Sequence, residues 1–203
     1  GERLVDLPLM QNVLADLALE SEAATTLAMR LAAAVEQGEH DLLRLALPAT
    51  KYYVCKRAPA VVAEALECLG GNGYVEESGM PRLYREAPLM SIWEGSGNVT
   101  ALDLLRALAK QPAARDAVEA ELDAASGADR HFDDALRRLR AELDDPSPGK
   151  ARALAELLAL TLQSALLLRH APSHVAEAFT ATRLGAAGRT FGSTPIAGAR
   201  TLL

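Results

Sequence analysis

Residues 8–37 read PLMQNVLADLALESEAATTLAMRLAAAVEQ, and within them Met10, Val13, Leu14, Leu17, Ala24, Leu27, Leu31 and Val35 recur at steps of three and four. That period places an apolar stripe on one side of a long helix and is incompatible with the two-residue alternation of a strand. Asp6 and Pro8 suit the start of this helix, and Gly38 suits its end. Composition points the same way. Half of the 203 residues are apolar but only 4% are aromatic, and Ala and Leu, both good helix formers, dominate. The expected fold is all-α.

A second helical region runs from Asp41 to Leu69 and contains Pro48 and Pro59, each of which removes a backbone donor and is expected to kink or divide it. Gly70 and Gly71 end it. Residues 75–80 read as loop, and Pro81 opens a shorter helix to about Met90. The turn Trp93-Glu94-Gly95 follows, then a helix from Val99 to Lys110 with Leu102, Leu105 and Leu108 on one side and Ser96 or Asn98 as its cap. Three or four antiparallel helices to this point are expected to close a bundle. After Pro112 the texture turns to Ala, Asp, Glu and Arg, with helices expected near 112–126 and 129–144 around Gly127. The run Asp144-Asp145-Pro146-Ser147-Pro148-Gly149 breaks the chain. A strongly apolar helix over about 149–170 and one capped by Ser173 to about 184 precede a Gly-, Ala- and Thr-rich tail, expected to be irregular.

The net charge of −6 arises entirely within the first hundred residues, and residues 101–203 are neutral in sum. Such a balance does not describe a chain built around nucleic acid. Arg137, Arg138 and Arg140 stand among Asp133, Asp134, Glu142, Asp144 and Asp145, the pattern of a solvated helix face, while Arg183, Arg189 and Arg200 are more isolated. Cys55 and Cys68 sit 13 residues apart in one helical region, about 20 Å along a helix, too far for a disulfide. Reduced, buried thiols and a cytoplasmic location are expected. No signal peptide is evident. The most apolar stretch, Ala153 to Leu168, is interrupted by Glu156, Thr161 and Gln163, so no membrane span is expected. No metal site is expected, because Pro172 should break the helix that would align His170 with His174. His131 reads as a surface cap.

Two segments carry the chemistry. In Ser91-Ile92-Trp93-Glu94-Gly95-Ser96-Gly97-Asn98 one carboxylate stands between an indole and a glycine just ahead of a helix, where it can reach a bound molecule closely. Gly70-Gly71-Asn72-Gly73-Tyr74 is a second place where backbone can approach a ligand.

These two segments, their spacing and the intervening Tyr84-Arg85-Glu86-Ala87 resemble the C-terminal helical domain of the acyl-CoA dehydrogenases, with G-G-N-G-Y followed some twenty residues later by Y-E-G-T. Lys51 to Arg57, Glu67 to Tyr74, Glu76-Glu77-Ser78 and Pro81 to Asn98 resemble the AidB-type, alkylation-response branch of that family, which also carries a helical extension. The resemblance implies a dehydrogenase-type four-helix-bundle region over 1–111 and a helical extension over 112–203 with an irregular tail from about 185. It implies a tetrameric flavoprotein that binds FAD between domains and across a subunit interface and oxidises an acyl-CoA between Cα and Cβ.

In that scheme Glu94 is the base that takes the α-proton, and Trp93 is the apolar wall expected to raise its proton affinity by burial. Trp93, Gly95, Ser96 and Asn98 fall where the segment meets the flavin, and Glu67, Gly70 and Gly71 where a neighbouring subunit's FAD is approached. Trp93 replaces the family's usual Tyr, Ser96 its Thr, Glu67 its Gln and Pro88 its Lys; the first and third agree with the AidB-type branch, and the larger ring would narrow an acyl channel. Gly1 aligns with a glycine just after an arginine implicated in flavin contact. The N-terminal and β domains are not among these residues, so the chain is expected to be a fragment that neither holds FAD tightly nor turns over substrate alone. The competing expectation is a protein acting mainly through DNA, a partner associated with the AidB-type branch.

Overall fold

The computed structural model describes residues 2–185, 191, 193–194 and 196–202, and among them there is no strand. Helix α1 spans Pro8–Gln37, with Pro8 in its first turn and Gly38 as a left-handed C-cap. Helix α2 spans His40–Cys68, α3 is the single turn Gly71–Tyr74, α4 is Met80–Glu86, and α5 is Gly97–Lys110. Between α3 and α4 and between α4 and α5 the chain makes short 3-10 turns, Glu76–Ser78 and Ala87–Ser91, so the helix expected to reach Met90 tightens after Glu86. Helices α6 (Pro112–Asp123), α7 (Arg130–Asp144), α8 (Ala151–His170) and α9 (Ser173–Arg183) follow, and a 3-10 turn spans Ala199–Leu202. Arg189 lies outside the described residues.

Pro48 and Pro59 do not divide α2, which runs as one helix through both. Each proline forfeits a backbone bond at a cost of about 3 kcal/mol, and packing offsets it. Leu42, Leu45, Ala46, Pro48, Ala49, Tyr52 and Tyr53 are all buried. Burial of one large aliphatic side chain stabilises by about 1.5–3 kcal/mol. Helix α2 touches α1, α4, α5, α6 and α8, and is the element around which the others are arranged.

The face that α1 buries differs from the expected stripe. Ala15, Leu19, Ala23, Leu27, Leu31 and Ala34 are inside, whereas Val35 is exposed. Alanine explains the rotation: with no side chain beyond Cβ it lets helix axes come close, and Ala49, Ala101, Ala107, Ala114, Ala155, Ala159 and Ala165 line the same core. Helix α8 packs against α1, α2, α5, α6, α7 and α9. It is long and apolar enough to cross a membrane by length and composition, but most of that stretch is buried inside this fold. One continuous core joins residues from Ala15 to Ile196.

The two cysteines are free and half-buried on α2, and burial pushes both thiols up from their ordinary values. The expected N-caps fare unevenly. Asp129, not His131, caps α7, accepting from the His131 and Phe132 amides at 2.8 and 3.0 Å. Ser173 is the first residue of α9, and Pro172 takes the capping position. Pro172 does separate α8 from α9, so His170 and His174 stand on different helices.

Buried ion pairs lock α9 and α6 to the bundle. Arg183 of α9 pairs with Asp16 and, at 2.8 Å, with Glu20 of α1, while Arg57 of α2 reaches Glu20 at 3.0 Å. Glu121 of α6 bridges Arg30 of α1 and Arg169 of α8 at 2.7 and 2.8 Å. Burial alone would raise the Glu121 carboxyl, but hydrogen bonds and charge from Arg30 and Arg169 outweigh it and hold the group below its ordinary value.

Two outcomes are expected. Removing one partner of a buried ion cluster costs about 3–5 kcal/mol, so Arg183→Leu should lose stability on that scale in urea denaturation at neutral pH. A loss under about 1 kcal/mol, typical of exposed pairs, would show that α9 is not held this way. For Glu121 the folded-state pKa is the depressed one, so its contribution is complete above the unfolded value of about 4.3. The stability gap between wild type and Glu121→Gln should therefore be constant from about pH 5 to 8 and close as the pH falls through the folded value.

Candidate functional site

The chain from Glu86 to α5 has no long helix to hold it, so its shape is set by what α2 offers. Lys51 Nζ donates to the carbonyl oxygens of Met90 and Trp93 at 2.7 and 2.8 Å. Thr100 Oγ1 donates to the carbonyls of Gly95 and Ser96 at 3.2 and 3.0 Å. A Cβ on Gly97 would stand 2.7 Å from Lys56 Cε and 3.6 Å from Tyr52 Cε2, so the glycine lets the first turn of α5 sit directly on α2. Tyr52 is held in turn by Arg152 of α8, whose Nε donates to its hydroxyl at 2.8 Å.

Within this turn Glu94 has φ +53°, the one positive φ of a non-glycine residue among those described. The left-handed conformation costs an ordinary residue roughly 1–2 kcal/mol, and it turns the side chain outward. Glu94 is exposed, and Trp93 is about half exposed at 52%. The burial that a carboxylate would need to become a stronger base is therefore not supplied by these residues alone. Ser96 stands at the N-cap position of α5, but neither its side chain nor that of Asn98 caps the helix. The Ser96 carbonyl accepts from the Thr100 amide at 2.9 Å, the first bond of the helix, as well as from the Thr100 hydroxyl. Ser96 and Asn98 both face solvent.

The sequence-predicted residues fall into two groups. Glu94 and Gly95 line a surface cleft of about 560 Å³ together with Arg44, Lys51, Val99 and Asp103. Arg44 makes a two-pronged contact to Asp103 at 2.7 and 3.1 Å, which holds the Asp103 carboxyl below its usual range. Glu67 and Gly70 line another cleft, of about 890 Å³, with Tyr74, Tyr84 and Arg85. There the Arg85 guanidinium lowers the Glu76 carboxyl through hydrogen bonds of 2.9 and 3.1 Å. Gly71 is exposed beside it. Gly73 is buried under the end of α2, where a Cβ would come within 2.1 Å of the Leu66 carbonyl oxygen. The glycine-rich segment is thus a tight chain reversal as well as a candidate contact surface.

Lys51, Arg44, Asp103 and Thr100 were not singled out from the sequence. Lys51 meets a segment some forty residues away, and nothing in the local pattern around it announces that contact. The arginines noted in the sequence are engaged by the fold: Arg137 pairs with Asp134, Arg140 with Asp123, Arg183 with Asp16 and Glu20 and Arg200 with Asp6, and Arg138 donates to the Leu184 carbonyl at 3.3 Å. Among the described residues no group of three or more metal-ligating side chains converges.

Comparison with known proteins bears on the family and the fold. Residues 1–109 match the family described as acyl-CoA dehydrogenase, C-terminal domain. AidB of Escherichia coli (strain K12) is 43% identical over 192 residues, which cover 93% of this chain and 36% of that protein. The crystal structure of Caenorhabditis elegans ACDH-11 in complex with C11-CoA superimposes with a TM-score of 0.71 at 28% identity, covering 97% of this chain and 38% of that one. The apo form of Bd2924 gives the same TM-score at 31% identity, covering 82% of this chain and 34% of that one. The chain thus spans a little over a third of the length of these relatives. With the matched family covering more than half of its residues and the two glycine-bearing segments in place, this chain belongs to the acyl-CoA dehydrogenase family, as its C-terminal helical domain.

Proposed function

We propose that this chain is the C-terminal part of an FAD-dependent acyl-CoA dehydrogenase-like protein in which Glu94 is the catalytic base. The observation that carries the proposal is the backbone at Glu94: a non-glycine residue held at φ +53° between Trp93 and Gly95, and lining an open cleft. Strained positions of this kind persist where surrounding contacts over-determine them, and they cluster at working sites. An acyl-CoA is the substrate class, in keeping with the C11-CoA bound by the C. elegans relative.

The residues present suit a flavin. The first-turn amides of α5 carry no side-chain cap, which leaves donors for a polar or anionic edge. The exposed Trp93 offers an apolar plane beside them, with Ser96 and Asn98 on the same stretch. In the second cleft Glu67, Gly70 and Gly71 would meet the FAD of a neighbouring subunit. FAD, when bound, accepts the hydride that leaves Cβ. Glu94 would receive the Cα proton on a carboxylate oxygen, the Cα–H electron pair becoming the Cα–Cβ π bond while the Cβ–H pair would leave with the hydride. Trp93 would form one apolar wall of that site.

A tetramer accords with the exposure of Leu83, Leu89, Met90, Ile92 and Trp93, apolar side chains of one stretch of the chain. The location we propose is cytoplasmic. The alternative reading, a protein that acts mainly on DNA, gains no support from arginines that are already paired with carboxylates.

The test is flavin reduction in the full-length protein. With a panel of acyl-CoA substrates and an artificial electron acceptor, Glu94→Gln should slow reduction by about 10²–10⁴-fold, the usual worth of a positioned base, while flavin content and thermal stability stay at wild-type values. A variant that reduces its flavin as fast as wild type would refute the assignment. Failure of every acyl-CoA to reduce the wild-type flavin, together with salt-sensitive binding of duplex DNA, would favour the alternative.

A further inference from the structure

The most informative contact outside the proposed base itself is the pair of bonds made by Lys51. Its ammonium reaches across from α2 to two carbonyl oxygens three residues apart, those of Met90 and Trp93, at 2.7 and 2.8 Å. Both carbonyls lie at or just past the end of the 3-10 turn Ala87–Ser91. Helical ends leave such oxygens without intrahelical donors, and a cation there satisfies them with charge-assisted bonds.

The second of these bonds has a particular consequence. The Trp93 carbonyl belongs to the same peptide plane as the Glu94 amide, so fixing the oxygen fixes the plane from which the Glu94 φ is measured. That φ is +53°. A free turn of this length would relax by rotating that plane, because an ordinary residue disfavours the left-handed region. Downstream, Thr100 Oγ1 fixes the Gly95 and Ser96 carbonyls. Glu94 therefore sits between two anchored peptide units, one held by Lys51 and the other by Thr100. Among the described residues no ion pair or hydrogen bond joins Lys51 to Glu94, although both line the same cleft. The Lys51 ammonium thus acts on the backbone of the turn and not on the carboxylate itself.

We infer that Lys51 is a positioning residue for Glu94: two hydrogen bonds from its ammonium, to the Met90 and Trp93 carbonyls, hold the turn in the conformation that presents the carboxylate. The inference rests on the reading of Glu94 as the base, and its experiment separates the two. Trp93 is the one tryptophan of the chain, so its fluorescence reports the clamped turn directly.

In the 203-residue chain, Lys51→Met should raise the amplitude of fast local depolarisation of Trp93 in time-resolved anisotropy by about twofold, the mark of a turn released on the nanosecond scale. Helix content by circular dichroism should be unchanged, and Lys51→Arg, which keeps a cation and N–H donors, should stay near wild type. Should Lys51→Met lose helix content, Lys51→Gln, with a neutral donor, replaces it in the same measurement. Wild-type anisotropy in the charge-removing variant overturns the inference.

In the flavin-loaded full-length protein, Lys51→Met should lower kcat by about 10–100-fold, the scale of a misplacement near 1 Å, with KM little changed. A loosened turn with wild-type kcat also overturns the inference, provided that Glu94→Gln is inactive. If Glu94→Gln stays active, the base assignment fails, and with it the catalytic meaning of the clamp, while the anisotropy result still decides whether Lys51 holds the turn.

Discussion

The structure depends on the continuity of α2. A helix of 29 residues spans about 43 Å at 1.5 Å per residue, long enough to run the length of the bundle and serve as a common wall for the helices on either side. Had Pro48 or Pro59 broken it, the two halves could not keep a single register, and the residues that face the Glu94 turn would lose their common reference. Lys51, Tyr52 and Lys56 all stand on the middle of this one helix. They meet, respectively, the carbonyls before Glu94, the hydroxyl partner from α8 and the first residue of α5. Rigidity at the turn is thus borrowed from a helix whose own stability comes from tertiary burial rather than from propensity.

The second half of the chain contributes to the same framework. Arg152 of α8 holds Tyr52, and the Arg183 cluster ties α9 to α1 with side chains that are nearly all out of water. Desolvating three charged groups is expensive, and such clusters are weak as a source of net stability. Their effect is on specificity of arrangement: a helix that carries a buried guanidinium can dock only where two carboxylates wait for it. The chemical logic of the extension is therefore one of placement, and the helix it places, α8, lines the core against α1, α2 and α5.

Much of this was legible in the sequence, and the misses have physical reasons. Helix positions followed from three- and four-residue periodicity and from Pro and Gly at the ends, and Pro172 and Gly38 ended helices as their chemistry requires. Side-chain size alone points away from the buried face of α1, because close helix packing selects alanine. The uninterrupted α2 was missed because a proline's local cost is visible in sequence and the compensating contacts are not. Asp129 as the cap of α7 was two residues from the histidine chosen for it, within the usual uncertainty of helix boundaries. In the candidate site, Glu94 and the glycine segments were found by motif. Lys51 opens a stretch that carries the resemblance, but its role, like those of Arg44 and Asp103, exists only once segments distant in sequence are brought together.

The strain at Glu94 links these levels. A left-handed non-glycine residue is disfavoured by local sterics, and glycine at that position would remove the cost at once. Glycine cannot supply a carboxylate. The chain instead places glycines on the positions where only backbone is needed, Gly95 and Gly97, and keeps a side chain where chemistry needs one. The resulting conformation is maintained by donors at both ends, Lys51 before it and Thr100 after it. Because both donors bond to the backbone, the carboxylate is presented by the fold of the turn and not by a bond to the side chain itself.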